Sequence, residues 1–385
     1  MKVPWRYAST VILATPKDQN IPEVVPNLQI LTVKRRADSR VMPGCHTFPG
    51  GALDEKADFK PRFAELYMTQ ILNFKESSNF GEFFRRRRRP QLIAPAFKFF
   101  EDKGSCMEIK TPADWAFKIC ALRELFEECG ILIGWNLETK NLEIRTTADE
   151  STDSERLEQY RVLVHNDADQ FLKVCQEMNI LPAFWLLNEW SDWLTPSIFP
   201  EKMRFDGIFY LLALNITLPR NIKATLAELE RAELRIQRYK IKCRLGLFYK
   251  LWESTLKLEA SCFTRRDSEN RWLDPKNALA SNTRREIMLA PPQIYEMGRL
   301  AKFDSCFALE HFSSERDDLY ADFDIRLSNI KPKVFDEPSS ALRKKCKNIH
   351  RVEYSFSDDG RIRGEGKIYC NVEQPCGHIS PMFIS

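Results

Sequence analysis

The nine residues Arg123-Glu124-Leu125-Phe126-Glu127-Glu128-Cys129-Gly130-Ile131 decide how the 385-residue chain is read. Upstream, Thr111, Pro112 and Asp114 read as an N-cap, a proline at the first helical position and a capping acid. Gly130 stands where a helix can end in a left-handed residue. The stretch therefore predicts a helix from about Pro112 to Cys129. At about 100° per residue, Trp115, Ile119, Leu122 and Phe126 fall on one side, and Glu124, Glu127 and Glu128 gather on the other. The expectation is a helix buried by one face and acidic on the opposite one. Like charges at i,i+4 cost a few tenths of a kcal/mol each, so the glutamates call for solvation or for a counter-charge such as a divalent cation.

Phe48-Pro49-Gly50-Gly51 lies upstream, and two glycines after a proline make a turn whose backbone carbonyls can come close to a ligand. Together the two stretches resemble the Nudix box of the Nudix hydrolases. The second half matches at every defining position. In the first half the glutamate expected six residues after Gly51 is replaced by Ala57, with Asp54, Glu55 and Asp58 as nearby acids. About fifty extra residues also separate the turn from the helix. An interrupted box of this kind is similar to the acyl-coenzyme A diphosphatase branch, whose members are peroxisomal or mitochondrial.

Composition bounds the reading. The length allows two domains, and 43% apolar residues suffice for a substantial core. A net charge of +4 does not by itself imply nucleic acid. Eleven cysteines without a CxxC pair suggest neither a disulfide framework nor a zinc site, and point to a reducing, intracellular compartment. No apolar run approaches ~20 residues, so no membrane span is expected, and Met1–Thr10 lacks the order of a signal peptide. The final Phe383-Ile384-Ser385 is not a Ser-Lys-Leu type peroxisomal address.

Along the chain, Ala8–Ala14 and Leu28–Arg35 read as the first two strands. The basic stretch from Lys34 through Arg36 to Arg40, with Gly44, resembles a motif that coenzyme A-cleaving Nudix enzymes carry ahead of the box, one residue short between Arg36 and Arg40. Guanidinium groups there suit a diphosphate and a 3′-phosphate; a solvated basic turn is the alternative. Within the insertion, Arg85–Arg89 reads as a solvated loop, with nucleic-acid binding or targeting left open. Glu138–Arg161 is polar and carries no motif. Trp190 and Trp193, then Arg204-Phe205-Asp206, precede a buried strand at Ile208–Leu214. The indole pair can stack on adenine, line a pantetheine channel or pack in the core. Asn221–Ala260 is helical in composition and has no counterpart in the family. Arg271-Trp272 ends a strand, Asp274-Pro275 opens a helix, and Leu289–Gln293 leads a further helix to Leu300. Nothing is recognised after Cys306. The domain reading is residues 1–305, with insertions at about 52–111 and 221–265, and an extension over 306–385.

The resemblance implies an α/β fold, a Nudix α/β/α sandwich with a mixed sheet and large insertions. It implies that Glu127 and Glu128 ligate Mg²⁺ or Mn²⁺ with the Gly50 carbonyl, that Glu124 is a ligand or the base, and that Arg123 holds these carboxylates in place. Glu269 or Asp267 are candidates for a distal ligand. Gly51, Arg36, Arg40, Trp193 and Arg204 are the candidates for substrate contact. The implied reaction cleaves coenzyme A or acyl-coenzyme A to 3′,5′-ADP and (acyl-)4′-phosphopantetheine. ADP-ribose, NADH or a capped RNA end are alternative substrates, and a catalytically silent binding protein is the alternative of another class. No Ser/His/Asp or Cys/His arrangement for covalent catalysis is discernible.

Overall fold

The structure is a computed structural model. It describes residues 6–18, 20, 26–36, 39, 42–73, 113–148, 152–195, 204–219, 270–320, 350–356 and 362–370. Arg40, Arg85–Arg89, the 221–260 segment, Asp267, Glu269, and the N-cap proposed at Thr111 lie outside these residues.

Strand β1 (Arg6–Pro16) is the axis of the main sheet. Its first half pairs antiparallel with β4 (Gly50–Ala52), and its last residues pair antiparallel with β2 (Leu28–Lys34). The short β3 (His46–Thr47) pairs with the end of β2. Along its other edge β1 runs parallel to β9 (Phe205–Ala213), in register from Arg6–Phe205 to Ala14–Ala213. The order β10-β2-β1-β9-β8, with β8 (Asn188–Leu194) and β10 (Asn270–Leu273) as outer strands, makes the sheet mixed. Both outer strands join antiparallel.

Successive side chains of a strand point to opposite faces, and β1 and β9 are apolar on both, as strands covered on both sides must be. Val11 and Leu13, with Ile208, Tyr210 and Leu212, enter one core; Ile12 and Ala14, with Phe209 and Leu211, enter the other. The first core is closed by helix α1 (Pro61–Asn73), helix α2 (Ala113–Cys129), and a small sheet of β5 (Ile131–Asn136), β6 (Leu142–Thr146) and β7 (Ile180–Pro182). Helices α3 (Thr152–Asn166) and α4 (Gln170–Glu177) complete that layer. The second core lies under α5 (Pro275–Thr283), α6 (Pro291–Leu300) and α7 (Cys306–Tyr320). Helices thus cover both faces of a mixed sheet, the expected α/β/α sandwich. A two-stranded hairpin, β11 (His350–Phe356) and β12 (Ile362–Cys370), stands apart from the sheet.

Several elements depart from the sequence reading. Helix α2 ends where expected, with Gly130 at φ +66° and its N–H donated to the Phe126 carbonyl at 2.8 Å. It is not acidic on a solvated face, however: Ala116, Phe117, Cys120, Ala121 and Leu125 are buried as well, and Glu127 is 7% exposed. The helix runs between two packed layers, so its glutamates face inward. The segment read as an insertion contributes α1, whose Phe63, Ala64 and Tyr67, at helical spacing, are buried in the first core. The stretch without a motif, Glu138–Arg161, supplies β6 and most of α3. Beyond residue 305, α7 buries Cys306 and Leu309 in the second core.

Candidate active site

The FPGG turn and α2 meet at β1. Phe48 anchors the turn in the second core, its ring set edge-on against Phe209, and Val11 donates its N–H to the Pro49 carbonyl. Gly50 and Gly51 then pair with Thr10 and Ser9. A methyl on Gly50 would lie 2.6 Å from the Ser9 carbonyl oxygen and 2.7 Å from Thr10 Cα, so only glycine fits against that backbone. A methyl on Gly51 would lie 2.4 Å from the Glu124 carboxyl carbon. The Gly50 N–H donates to Glu128 Oε2 at 3.0 Å, across 78 positions of chain. The contact recorded at Gly50 is made by its N–H, whereas the sequence reading invoked its carbonyl.

Arg123 stands at the centre of the acids and is itself 3% exposed. It donates from Nε and Nη2 to the two oxygens of Asp58 at 2.8 and 3.0 Å, and from Nη1 to Glu124 at 2.9 Å and Glu127 at 2.6 Å. Nη2 also reaches the Ala52 carbonyl at 3.3 Å. Asp58 is fully enclosed; its remaining capacity takes the Asp54 N–H, in a turn that Asp54 closes by accepting the N–H groups of Lys56 and Ala57. The acid that meets the guanidinium therefore sits one position after Ala57, which points into the core. Burial pushes the Asp58 carboxyl above the ordinary aspartate range, with Arg123 opposing it.

Three carboxylates (Asp58, Glu124 and Glu127) thus meet one guanidinium, with Glu128 held nearby by the Gly50 N–H. Burial, opposed by Arg123 and reinforced by Glu127 and Glu128, pushes Glu124 up to about 8. The His165 Nδ1 lies 3.7 Å from Glu127 Oε2. Among the described residues no three acid, imidazole or thiol groups are drawn together closely enough to enclose an ion as they stand. The reason is visible in the bonds: Arg123 pulls Glu124 and Glu127 to itself, while Gly50 holds Glu128. In chemistry the set fits a hard divalent cation, because its donors are carboxylate oxygens and its negative charge exceeds the local positive charge.

A residue that no motif announced completes the layer. Arg161, fully buried on α3, donates to the carbonyls of Glu127 and Glu128 at 2.9 and 2.8 Å and pairs with Glu158 at 3.0 Å. The only sequence signal was an arginine on an otherwise ordinary polar helix.

Of the candidates for substrate contact, Gly51 lies against Glu124. Arg36 and Arg204 flank the same end of the sheet: the Arg36 carbonyl accepts the Gly44 N–H in the loop after β2, and the Arg204 carbonyl accepts the Arg6 N–H where β1 and β9 begin. Arg6 in turn lays its guanidinium 4.4 Å from the Phe205 ring centre. Trp193 is on the second face. Its indole N–H meets Ser191 Oγ and the buried Glu296, and its ring packs against Tyr295 and against the Phe209 that touches Phe48. Trp190 and Arg299 bind the same carboxylate, at 2.7 and 3.0 Å. Glu296 is thus the hub of the tryptophan pair, which the sequence reading did not identify.

A model of the NUDT19 Nudix domain matches residues 5–235. The chain is 26% identical over 429 aligned positions to the acyl-coenzyme A diphosphatase NUDT19 of Xenopus laevis, covering 99% of this chain and 96% of that one. It is 30% identical to the protein of that name from Gallus gallus, over 81% of this chain and 72% of the other. The Homo sapiens protein of that name is 28% identical, over 80% and 72% respectively. The matched span takes in the glycine turn, α2 with its glutamates, and the parallel strand that closes the sheet beside them, and the chain belongs to the NUDT19 Nudix domain family.

Proposed function

We propose that this chain is a divalent-metal-dependent Nudix diphosphatase that cleaves coenzyme A and acyl-coenzyme A into 3′,5′-ADP and (acyl-)4′-phosphopantetheine. The observation that carries the reading is the meeting of Gly50-Gly51 with Glu124 and Glu128, brought together from opposite ends of a long insertion. The substrate is supported by the three relatives, each named an acyl-coenzyme A diphosphatase. In this reading residues 1–305 form the catalytic domain and 306–385 the extension, of which α7 packs on the second core. The compartment, peroxisome or mitochondrion, rests on the resemblance and is read by imaging a tagged full-length chain.

Glu124, Glu127 and Glu128 would hold Mg²⁺ or Mn²⁺, with the Gly50 carbonyl as a further oxygen donor. When bound, the cation supplies neutralisation of charge at the diphosphate. Where it is not itself a ligand, Glu124 would instead be the base that takes the proton of the attacking water. Arg123, itself clamped by Asp58, fixes the direction of Glu124 and Glu127. Gly51 leaves the room that Glu124 occupies. Arg36, Arg40 and Arg204 meet the phosphates of the substrate, for which the planar guanidinium fork is well matched.

The test is turnover of coenzyme A by the purified full-length chain with Mg²⁺ or Mn²⁺, products identified by mass spectrometry. Expected are 3′,5′-ADP and phosphopantetheine, a drop of at least about 100-fold in Glu128→Gln, and poorer handling of dephospho-coenzyme A. No turnover with either metal, or full turnover by Glu128→Gln, overturns the reading.

A further inference from the structure

We infer that Arg161 is the positioning residue that sets the last turn of α2, and through it the carboxylates of Glu127 and Glu128; the inference rests on those two residues acting as metal ligands. A helix leaves its last carbonyls without intrahelical donors. Here the chain turns away at Gly130, whose N–H satisfies Phe126, and continues into β5. The carbonyls of Glu127 and Glu128 are then taken by one guanidinium from α3, Nε to Glu127 at 2.9 Å and Nη2 to Glu128 at 2.8 Å.

The third edge of the same fork, Nη1, is held by Glu158 at 3.0 Å, one turn earlier on α3. Arg161 is fully buried, so its plane is fixed by packing as well as by three hydrogen bonds. Helix α3 meets Glu127 a second time, at the carboxylate, through His165. The two carbonyls gripped belong to the two adjacent glutamates of the acidic edge. Any roll or fraying of that turn would move both carboxylates together. A misplacement of about 1 Å at such a site costs about 100-fold in rate. The Arg161 guanidinium also faces the negative end of the helix dipole, which favours the ordered turn.

Lysine keeps the charge but has no planar fork to bridge two carbonyls while meeting Glu158. The experiment compares wild type, Arg161→Lys and Glu158→Gln as full-length protein. Mn²⁺ binding is read by the paramagnetic resonance of the free ion, kcat and KM with coenzyme A, and melting temperature by circular dichroism. Asp274→Ala, at a helix cap in the other layer, reports what lost stability alone does.

Folded Arg161→Lys is expected to bind Mn²⁺ at least about tenfold more weakly and to lose kcat by about 10–100-fold, with KM within threefold. Glu158→Gln, which removes the charge that pairs with one edge of the fork, is expected to weaken Mn²⁺ binding about threefold, and Asp274→Ala to melt earlier with unchanged Mn²⁺ affinity. Wild-type Mn²⁺ affinity in a folded Arg161→Lys overturns the inference. If that variant does not fold, wild-type affinity in Glu158→Gln overturns it. A wild-type chain that binds Mn²⁺ but spares coenzyme A defeats the substrate reading alone; one that binds no Mn²⁺ defeats both.

Discussion

Arg123 and Asp58 grip each other at two points, Nε to Oδ1 at 2.8 Å and Nη2 to Oδ2 at 3.0 Å, with both side chains sealed from solvent. Breaking a buried pair from one side leaves an uncompensated charge, at a cost of about 3–5 kcal/mol. Asp58→Ala is therefore expected to lose up to about that much stability in urea melts, and to lose activity beyond what the fraction folded explains, because Arg123 then loses the anchor that fixes how it holds Glu124 and Glu127. Asp58→Ala with wild-type kcat would show that the guanidinium needs no second anchor.

The glycines of the turn separate by what they touch. Gly51→Ala presses only on the far end of the flexible Glu124 side chain, so it should cost little stability and about 100-fold in kcat. Gly50→Ala presses on the backbone of Ser9 and Thr10 and should unfold the turn, losing stability and activity together. Gly44, at φ +71° in open space, should cost about 1 kcal/mol as alanine and leave kcat unchanged. Thermal melts beside steady-state rates distinguish the three.

Glu124 ties metal to pH. Burial, opposed by Arg123 and reinforced by Glu127 and Glu128, raises its carboxyl from 4.5 to about 8. The unfolded chain gives up that proton near 4.5 and the folded chain near 8. The stability this group confers is therefore full below about pH 4.5 and is lost as the pH rises to about 8. A divalent cation stabilises the ionised form, so the rise in melting temperature on adding Mg²⁺ should be larger above pH 8 than near neutrality. Glu124→Gln should flatten that difference; a pH-independent metal effect in wild type would contradict the link.

Asp274 caps α5 by accepting the Asn277 N–H at 2.9 Å and pairs with Lys17 at 2.6 Å. Burial pushes its carboxyl up, but Lys17 and the backbone donors prevail and hold it below the ordinary value of 3.8. Its contribution is thus present above about pH 3.8 and is lost as the pH falls through the depressed value. Asp274→Ala should cost about 1 kcal/mol. Asp274→Asn keeps the cap, should cost only a few tenths of a kcal/mol, and should match wild type in acid. Urea melts at neutral and acid pH check both.

What the sequence disclosed followed from local rules. The C-terminal end of α2 at Gly130, the opening of α5 at Asp274-Pro275 and of α6 at Pro291, and the strands β1, β2 and β9 are written in caps, prolines, glycine and β-branched runs. Of the two fates open to the glutamates, solvation or a counter-charge, periodicity along one helix could not choose, because it does not reveal a second layer closing over it. Asp58 was noticed only as a nearby acid, since whether an acid one position late can still reach Arg123 depends on the fold of the Asp54 turn. Arg161 and Glu296 belong to no motif: each also acts on groups more than thirty positions away, which their own neighbourhoods do not disclose.

The parallel ladder between β1 and β9 fixes when the molecule can come together. Strand β1 has its nine-rung neighbour about two hundred codons downstream, from Phe205 to Ala213. At typical synthesis rates that is a wait on the order of 10–40 s. During it β1, with its apolar run Val11–Ala14, offers one unsatisfied edge, the condition in which a nascent chain draws chaperones or aggregates. The same strand that seats the glycine turn is therefore the point at which biogenesis of this protein is most exposed.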